Sequence, residues 1–363
     1  MTSHEYRFAR QDVVRLAGGP LLVVALFAAA LQGLAWLGWL PRPWPALDMD
    51  RVVLLHQAEA SRSGAVADLV LVGDSSCLMN VDAVRLGERL GIEVLNLGTL
   101  SYVDVETHGR LLATFAATHP GEPGAAVLLL HPHRLRLRPG DRYHTEVLQS
   151  HLEGRDPLAA FTEAGRLGRW LGLESWRERV LSRVLPWPLQ GAYRVRYGFT
   201  HDLWRHLEAN RGSAVDPNRY EAGKAPGGAE YRLAPGLEAE SRAFRRLVPE
   251  NTVLWAGVTP VPADEVSVAP GSAARPTADG DRTGLGGVGK ALLDGWSEWL
   301  RPVEPLAGLP FALPSDWFAS STHLNAAGRE RYTDLLAEEL RGRLGKRQAR
   351  SLHHESGESV AAE

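Results

Sequence analysis

Ser75 lies in Gly73-Asp74-Ser75-Ser76, directly after the aliphatic run Leu69 to Val72. A run of that composition reads as a buried strand, and the small, turn-prone residues end it abruptly. A strand, a tight turn and a helix in succession put the turn at the carboxyl end of a parallel sheet, where α/β folds hold ligands. A serine hydroxyl there is exposed beside helix N-terminal N–H groups, which can stabilise an oxyanion. It stays a weak nucleophile until a positioned base takes its proton. That base is available in Ser320-Ser321-Thr322-His323-Leu324-Asn325, which sets His323 in the loop before the last helix. The two stretches are about 250 positions apart, yet both can stand over one sheet. Taken alone, Gly-Asp-Ser is equally a polar turn capping a helix.

The elements that must position this pair follow in order. Residues 52–60 read as a helix, 69–72 as the first strand and 81–90 as a helix closed by Gly91. Strands follow at Ile92 to Leu97, Ala125 to Leu130 and Thr252 to Val258, with helices at Val103 to Thr118, Leu237 to Val248, Gly289 to Leu300 and Ala326 to about Arg343. This alternation predicts an α/β domain over 65–344, a flavodoxin-like three-layer α/β/α sandwich on a parallel sheet.

An insertion of about 134–235 interrupts the domain. It is rich in Arg and aromatic residues, with helices expected at Ala159 to Leu185 and His201 to Asn210 and a loop from Arg211 to Arg232. Its aromatics suit either a sugar-binding groove or a helical sub-core. The Ala, Gly and Pro composition of Ala263 to Gly289 predicts a mobile loop able to lie over the site, and Gly345 to Glu363 reads as a disordered tail.

The N-terminus bears on location. Leu16 to Leu40 carries no charge, and about 20 apolar residues span a bilayer. Arg7, Arg10 and Arg15 precede the run, and Trp36, Trp39 and Trp44 gather at its far end. The expectation is a cytoplasmic segment at 1–15, a transmembrane anchor at 16–40, a Pro-rich linker at 41–64 and an outward-facing domain. A signal peptide cleaved near Ala28-Ala29-Ala30, or a buried core helix, would also explain the run. A net charge of −3 gives no electrostatic grip on nucleic acid. Cys77 is the single cysteine, which excludes an internal disulfide or a cysteine-based metal site. His131 and His133 make a poor metal site by themselves, so neither a metal nor another cofactor is expected.

With Gly-Asp-Ser at one end and Thr-His-Leu-Asn at the other, the chain resembles the SGNH (GDSL-type) hydrolase superfamily. The resemblance implies Ser75 as nucleophile, His323 as base, and an oxyanion hole from the N–H groups of Ser75 and Gly98. An asparagine usually completes that hole after the third strand, and His131 stands there instead. The family also has an aspartate three residues before the histidine, where this chain has Ser320. Ser320 or a carbonyl could orient His323, Asp316 could swing in from seven residues upstream, or the site could be weakened. The anchor and the phrases Val-Gly-Asp-Ser-Ser and Thr-His-Leu-Asn-Ala-Ala-Gly are similar to accessory proteins of cell-envelope polysaccharide O-acylation. The resemblance thus implies an acyltransferase or esterase acting on an exported polysaccharide, partnered by a membrane-bound O-acyltransferase. The alternative is an inactive domain that binds glycan or docks to that enzyme.

Overall fold

The strands form where short aliphatic runs are cut off by glycine or a polar turn. In the computed structural model, β1 (Leu69–Gly73) pairs with β2 (Val94–Gly98) on one side and β3 (Ala125–Leu130) on the other. Next, β3 pairs with β4 (Val253–Val258), and β4 with the two-residue β6 (Glu304–Pro305). All these pairings are parallel, in the order β2-β1-β3-β4-β6. That is the doubly wound order 2-1-3-4-5 with β6 in fifth place, and its switch point falls between β1 and β3. A separate parallel pair joins β5 (Val261–Pro262) to β7 (Ala312–Leu313). The structure describes residues 9–36, 49–63, 66–119, 121, 123–136, 142–155, 191–197, 200–221, 232–266 and 286–358.

Alternation along the strands divides the core into two. Val70, Val72, Leu95, Leu128 and Ala256 face one apolar cluster. It includes Leu54 of α2 (Met49–Ala60), Phe115 of α5 (Val105–Thr118), Phe244 of α10 (Leu237–Leu247) and Trp296 of α11 (Gly286–Trp299). Leu69, Leu71, Val127 and Trp255 face the other, with Leu86 of α4 (Ala83–Leu90) and Tyr332, Leu336 and Leu340 of α12 (Ala326–Glu358). The sheet is therefore covered by helices on both faces, as expected of a three-layer α/β sandwich.

Several local expectations shift. Helix α3 (Ser75–Asn80) begins at the serine itself, because Asp74 caps it by accepting from Ser76 N–H at 2.9 Å. Helix α12 runs on to Glu358, through a stretch expected to be disordered. That stretch is polar, but it contains no proline, and its first turns (Lys346, Arg347, Gln348, Ala349, Arg350) are good helix formers that carry a helix already started. Within the insertion, α6 (Pro132–Arg136), α7 (Arg142–Leu152), α8 (Gly191–Tyr197) and α9 (Thr200–Ala209) are described. The helix expected at Ala159 to Leu185 and most of the loop at Ala263 to Gly289 lie outside the described residues.

The chain divides into two units, Met1–Ala46 with Phe161–Leu189, and Leu47–Ala160 with Gln190–Glu363. In the first, α1 (Arg10–Trp36) is a helix of 27 residues whose Leu21, Leu22, Val23, Val24, Leu26 and Phe27 are exposed. Among the described residues no helix is both long and apolar enough to cross a membrane, so the structure lends the expected transmembrane anchor no support.

Gly73 shows how tightly the strand end is built. Its φ is +153°, and a Cβ there would sit 1.9 Å from the carbonyl oxygen of Leu129 on β3. The backbones of β1 and β3 must part for any side chain to fit. Gly73→Ala is expected to destabilise the domain by about 3 kcal/mol or more, read as a lowered urea midpoint. An unchanged midpoint would contradict this packing.

Candidate active site

Asp74 ties the ends of three strands together beneath Ser75. One carboxylate oxygen accepts from Ser76 N–H at 2.9 Å and from Ser76 Oγ at 2.5 Å, and the other accepts from His131 N–H at 2.9 Å. Thr259, just past β4, donates its hydroxyl to Ser76 Oγ at 2.8 Å. Asp74, Ser76 and Thr259 are fully buried, while Ser75 keeps 8% exposure. The turn is thus fixed by groups from three strand ends, and Ser75 alone of these residues keeps some exposure.

His323 reaches Ser75 across the sheet, with Nε2 2.9 Å from Ser75 Oγ. Its loop is held by the buried Asn80 at the end of α3. Leu324 N–H donates to Asn80 Oδ1 at 2.8 Å, and Asn80 Nδ2 donates to the Thr322 carbonyl at 3.2 Å. One amide therefore grips the chain on both sides of the histidine and links it to the serine's own helix.

The imidazole is oriented by a residue that neither motif contains. Nδ1 of His323 lies 2.7 Å from Oδ2 of Asp216, whose side chain is 1% exposed. The other oxygen of Asp216 accepts from Asn218 N–H at 2.9 Å and Asn218 Nδ2 at 2.7 Å. Burial alone would raise the Asp216 pKa; the hydrogen bond and charge of His323, with help from Asn218 N–H and the Ser320 hydroxyl, outweigh it and lower the value. An ionised Asp216 accepts, so Nδ1 carries the proton and Nε2 is free to accept from Ser75. Ser75, His323 and Asp216 form one hydrogen-bonded chain.

Asp216 is carried by the stretch expected to be a loop, and residues 213–221 are indeed irregular. Residues 211–216 are strapped along β2: Asn96 N–H donates to the Arg211 carbonyl at 2.9 Å, and Asn96 Nδ2 donates to Ser213 Oγ at 3.1 Å. Gln57 Nε2 donates to the carbonyls of Gly98 at 2.7 Å and Gly212 at 3.1 Å, and Ala214 N–H donates to Leu78 at 3.0 Å. Gly212 has φ +86°, and a Cβ there would come 1.9 Å from the Asn96 carbonyl oxygen. Only glycine allows the strap to lie so close.

The other residues singled out from sequence divide. Asp316, in a short 3₁₀ turn (Ser315–Trp317), does not orient the imidazole: its main-chain carbonyl accepts from Asn325 Nδ2, and Asp216 occupies Nδ1. Ser320 acts on the backbone, accepting from His323 N–H at 3.2 Å, and its hydroxyl also supports the Asp216 carboxylate. Gly98 is not a free oxyanion donor, because its N–H donates to Asn96 Oδ1 at 2.8 Å. Its lack of a side chain serves packing instead, since a Cβ would lie 2.6 Å from Leu78 N.

His131 Nδ1 accepts from His133 N–H at 3.2 Å, leaving the ring proton on the buried Nε2, which is turned toward the backbone of Pro260. Burial, then the nearby His133 and His323, push its pKa well down, so the ring is a neutral donor. Cys77 is fully buried, and burial pushes its thiol up, consistent with a packing residue. Among the described residues no cluster of His, Cys, Asp and Glu has the grouping of a metal site.

Two residues were missed from sequence. Ser101, in the turn after β2, lies with Oγ 2.8 Å from Ser75 Oγ. Asp216 sits in Asp216-Pro217-Asn218, where a turn-forming aspartate followed by proline was its one local signal. Compared with known proteins, the chain matches no family model and no curated protein sequence.

Losing the acid's charge leaves the imidazole in the wrong tautomer, which costs about 10⁴ in turnover in a serine protease. Asp216→Asn should slow phosphonylation of Ser75 by a fluorophosphonate about 10³-fold or more, while Asp316→Asn leaves it within about threefold of wild type. The reverse ranking would restore Asp316 as the orienter. The lowered Asp216 pKa also has a stability sign. Its contribution is complete above the ordinary carboxylate pKa and is lost as pH falls through the lowered folded value. Acid unfolding curves should therefore be shallower in Asp216→Asn over that range, and superimposable curves would count against the pairing.

Proposed function

We propose that this chain is an SGNH-type serine esterase or acyltransferase, and that Ser75, His323 and Asp216 perform its chemistry. The observation that carries the proposal is the unbroken contact from Ser75 Oγ through His323 to a buried carboxylate. Ser75 gives its proton to His323 Nε2 as Oγ attacks the acyl carbon. The tetrahedral oxyanion then collapses, the C–O bond to the leaving alcohol breaks, and His323 protonates the departing oxygen. In the second half, water or a sugar hydroxyl gives its proton to His323 and attacks acyl-Ser75. The bond from the acyl carbon to Oγ then breaks, His323 returns the proton to Oγ, and the acid or a new ester leaves. Ser75 N–H and the Nε2–H of His131 are donors proposed for the oxyanion.

The substrate proposed is an O-acyl, above all O-acetyl, group on an exported cell-envelope polysaccharide, with a membrane-bound O-acyltransferase as partner. Its support is the resemblance of the Ser75 and His323 motifs. Membrane attachment through 16–40, with the catalytic domain outside, is proposed from the uncharged run and the exposed apolar side chains of α1. The Asp216 carboxylate on His323 Nδ1 supports the active reading over the inactive-domain alternative, for which Ser320 standing in place of an aspartate was one ground.

A fluorophosphonate probe tests the chemistry. Wild type should be labelled at Ser75, and Ser75→Ala and His323→Ala should not. A folded, unlabelled wild type would favour the glycan-binding alternative. Deleting residues 1–40 should move the protein from the membrane fraction to the soluble one; full-length protein in the soluble fraction would refute the anchor.

A further inference from the structure

The oxyanion hole lacks the donor that the sequence suggested, since the Gly98 N–H is engaged by Asn96 Oδ1 at 2.8 Å. We propose that the side-chain hydroxyl of Ser101 is a catalytic hydrogen-bond donor, held on the nucleophile at rest and passed to the oxyanion during acyl transfer. This inference rests on the serine-hydrolase reading above.

The direction of the contact follows from counting protons. Asp216 fixes the His323 proton on Nδ1, so Nε2 can only accept. Ser75 has one hydroxyl proton, and it goes to Nε2 at 2.9 Å. The 2.8 Å contact between the two serine oxygens must then run from Ser101 O–H to Ser75 Oγ. Resting Ser75 therefore donates once and accepts once, which holds Oγ in a single rotamer facing the base.

Attack changes which oxygen attracts that proton. Oγ becomes an ester-like oxygen and a poor acceptor, while full negative charge appears on the former carbonyl oxygen, bonded to the same carbon. A hydroxyl already in contact with Oγ needs only a small rotation to serve the new charge. Its interaction is stronger in the transition state than at rest, which is the condition for raising kcat. Ser101 sits in the turn closed by Val103 N–H to the Leu100 carbonyl at 3.1 Å, two residues after Thr99, whose N–H is pinned to the Gly73 carbonyl at 2.8 Å. The donor and the nucleophile thus stand on adjacent, mutually bonded strand ends.

The experiment is pre-steady-state hydrolysis of p-nitrophenyl acetate by the full-length, detergent-solubilised protein. Removing one oxyanion donor costs about 10² to 10³ in kcat. Ser101→Ala should lose acylation rate on that scale with KM nearly unchanged. Ser101→Thr, which keeps the hydroxyl, should recover most of it. Should the alanine variant not fold, the near-isosteric Ser101→Cys, a weak donor, replaces it and should show the same loss. Acylation within about threefold of wild type in Ser101→Ala or Ser101→Cys, or a rise in KM alone, would overturn the role of Ser101 while leaving Ser75 chemistry standing. A wild type with no Ser75-dependent acylation would overturn both.

Discussion

The hydrogen bond between Asp216 and Nδ1 of His323 is the contact on which the rest of the site depends. Without a buried anion at Nδ1 the imidazole has no reason to keep its proton there, and Nε2 could not be relied on to accept from Ser75. Nothing close to His323 in sequence provides that anion. It arrives on a strap from the insertion, pinned to the edge of β2 by Asn96 and Gln57 and allowed to approach by Gly212. The insertion therefore supplies part of the candidate site and is not merely an appendage to the sandwich.

Two buried amides join the pieces. Asn80 fastens the His323 loop to α3, and Asn96 fastens the strap to β2 while also accepting from Gly98 N–H. Each such hydrogen bond contributes only about 1 kcal/mol, but a buried partner left unsatisfied costs about 1–3 kcal/mol. Losing either amide strands several groups at once, so the site assembles as a unit. Exposed ion pairs such as Arg205–Asp202 have no comparable leverage, because solvent screens them.

The sheet was largely legible in the sequence, since 69–72 and 125–130 are aliphatic runs ended by turn residues and little else fits them. Ser75 and His323 were legible only as a pair, through the resemblance of their two motifs, since Gly-Asp-Ser alone reads equally well as a helix cap. The structure brings the two side chains within 2.9 Å. Asp216 was not. It lies in an aperiodic Gly, Ser and Pro stretch, and its importance comes from a contact 107 positions away along the chain. Gly98 was misread because a glycine after a strand serves packing as readily as catalysis, and only the Asn96 side chain decides between them. Ser101 carries no signal beyond being a small polar residue in a turn. The helical course of 345–358 was hidden by polarity, which says little about helix propensity in a chain already nucleated at Ala326.

The account's central claim is that Ser75, His323 and Asp216 form one hydrogen-bonded chain, and the proton on His323 Nδ1 reports it most directly. Low-field proton NMR of the full-length protein should show a strongly deshielded resonance that survives Ser75→Ala and disappears in both His323→Gln and Asp216→Asn. A resonance that persists in Asp216→Asn, or that never appears in folded wild type, would contradict the arrangement on which the proposed chemistry stands.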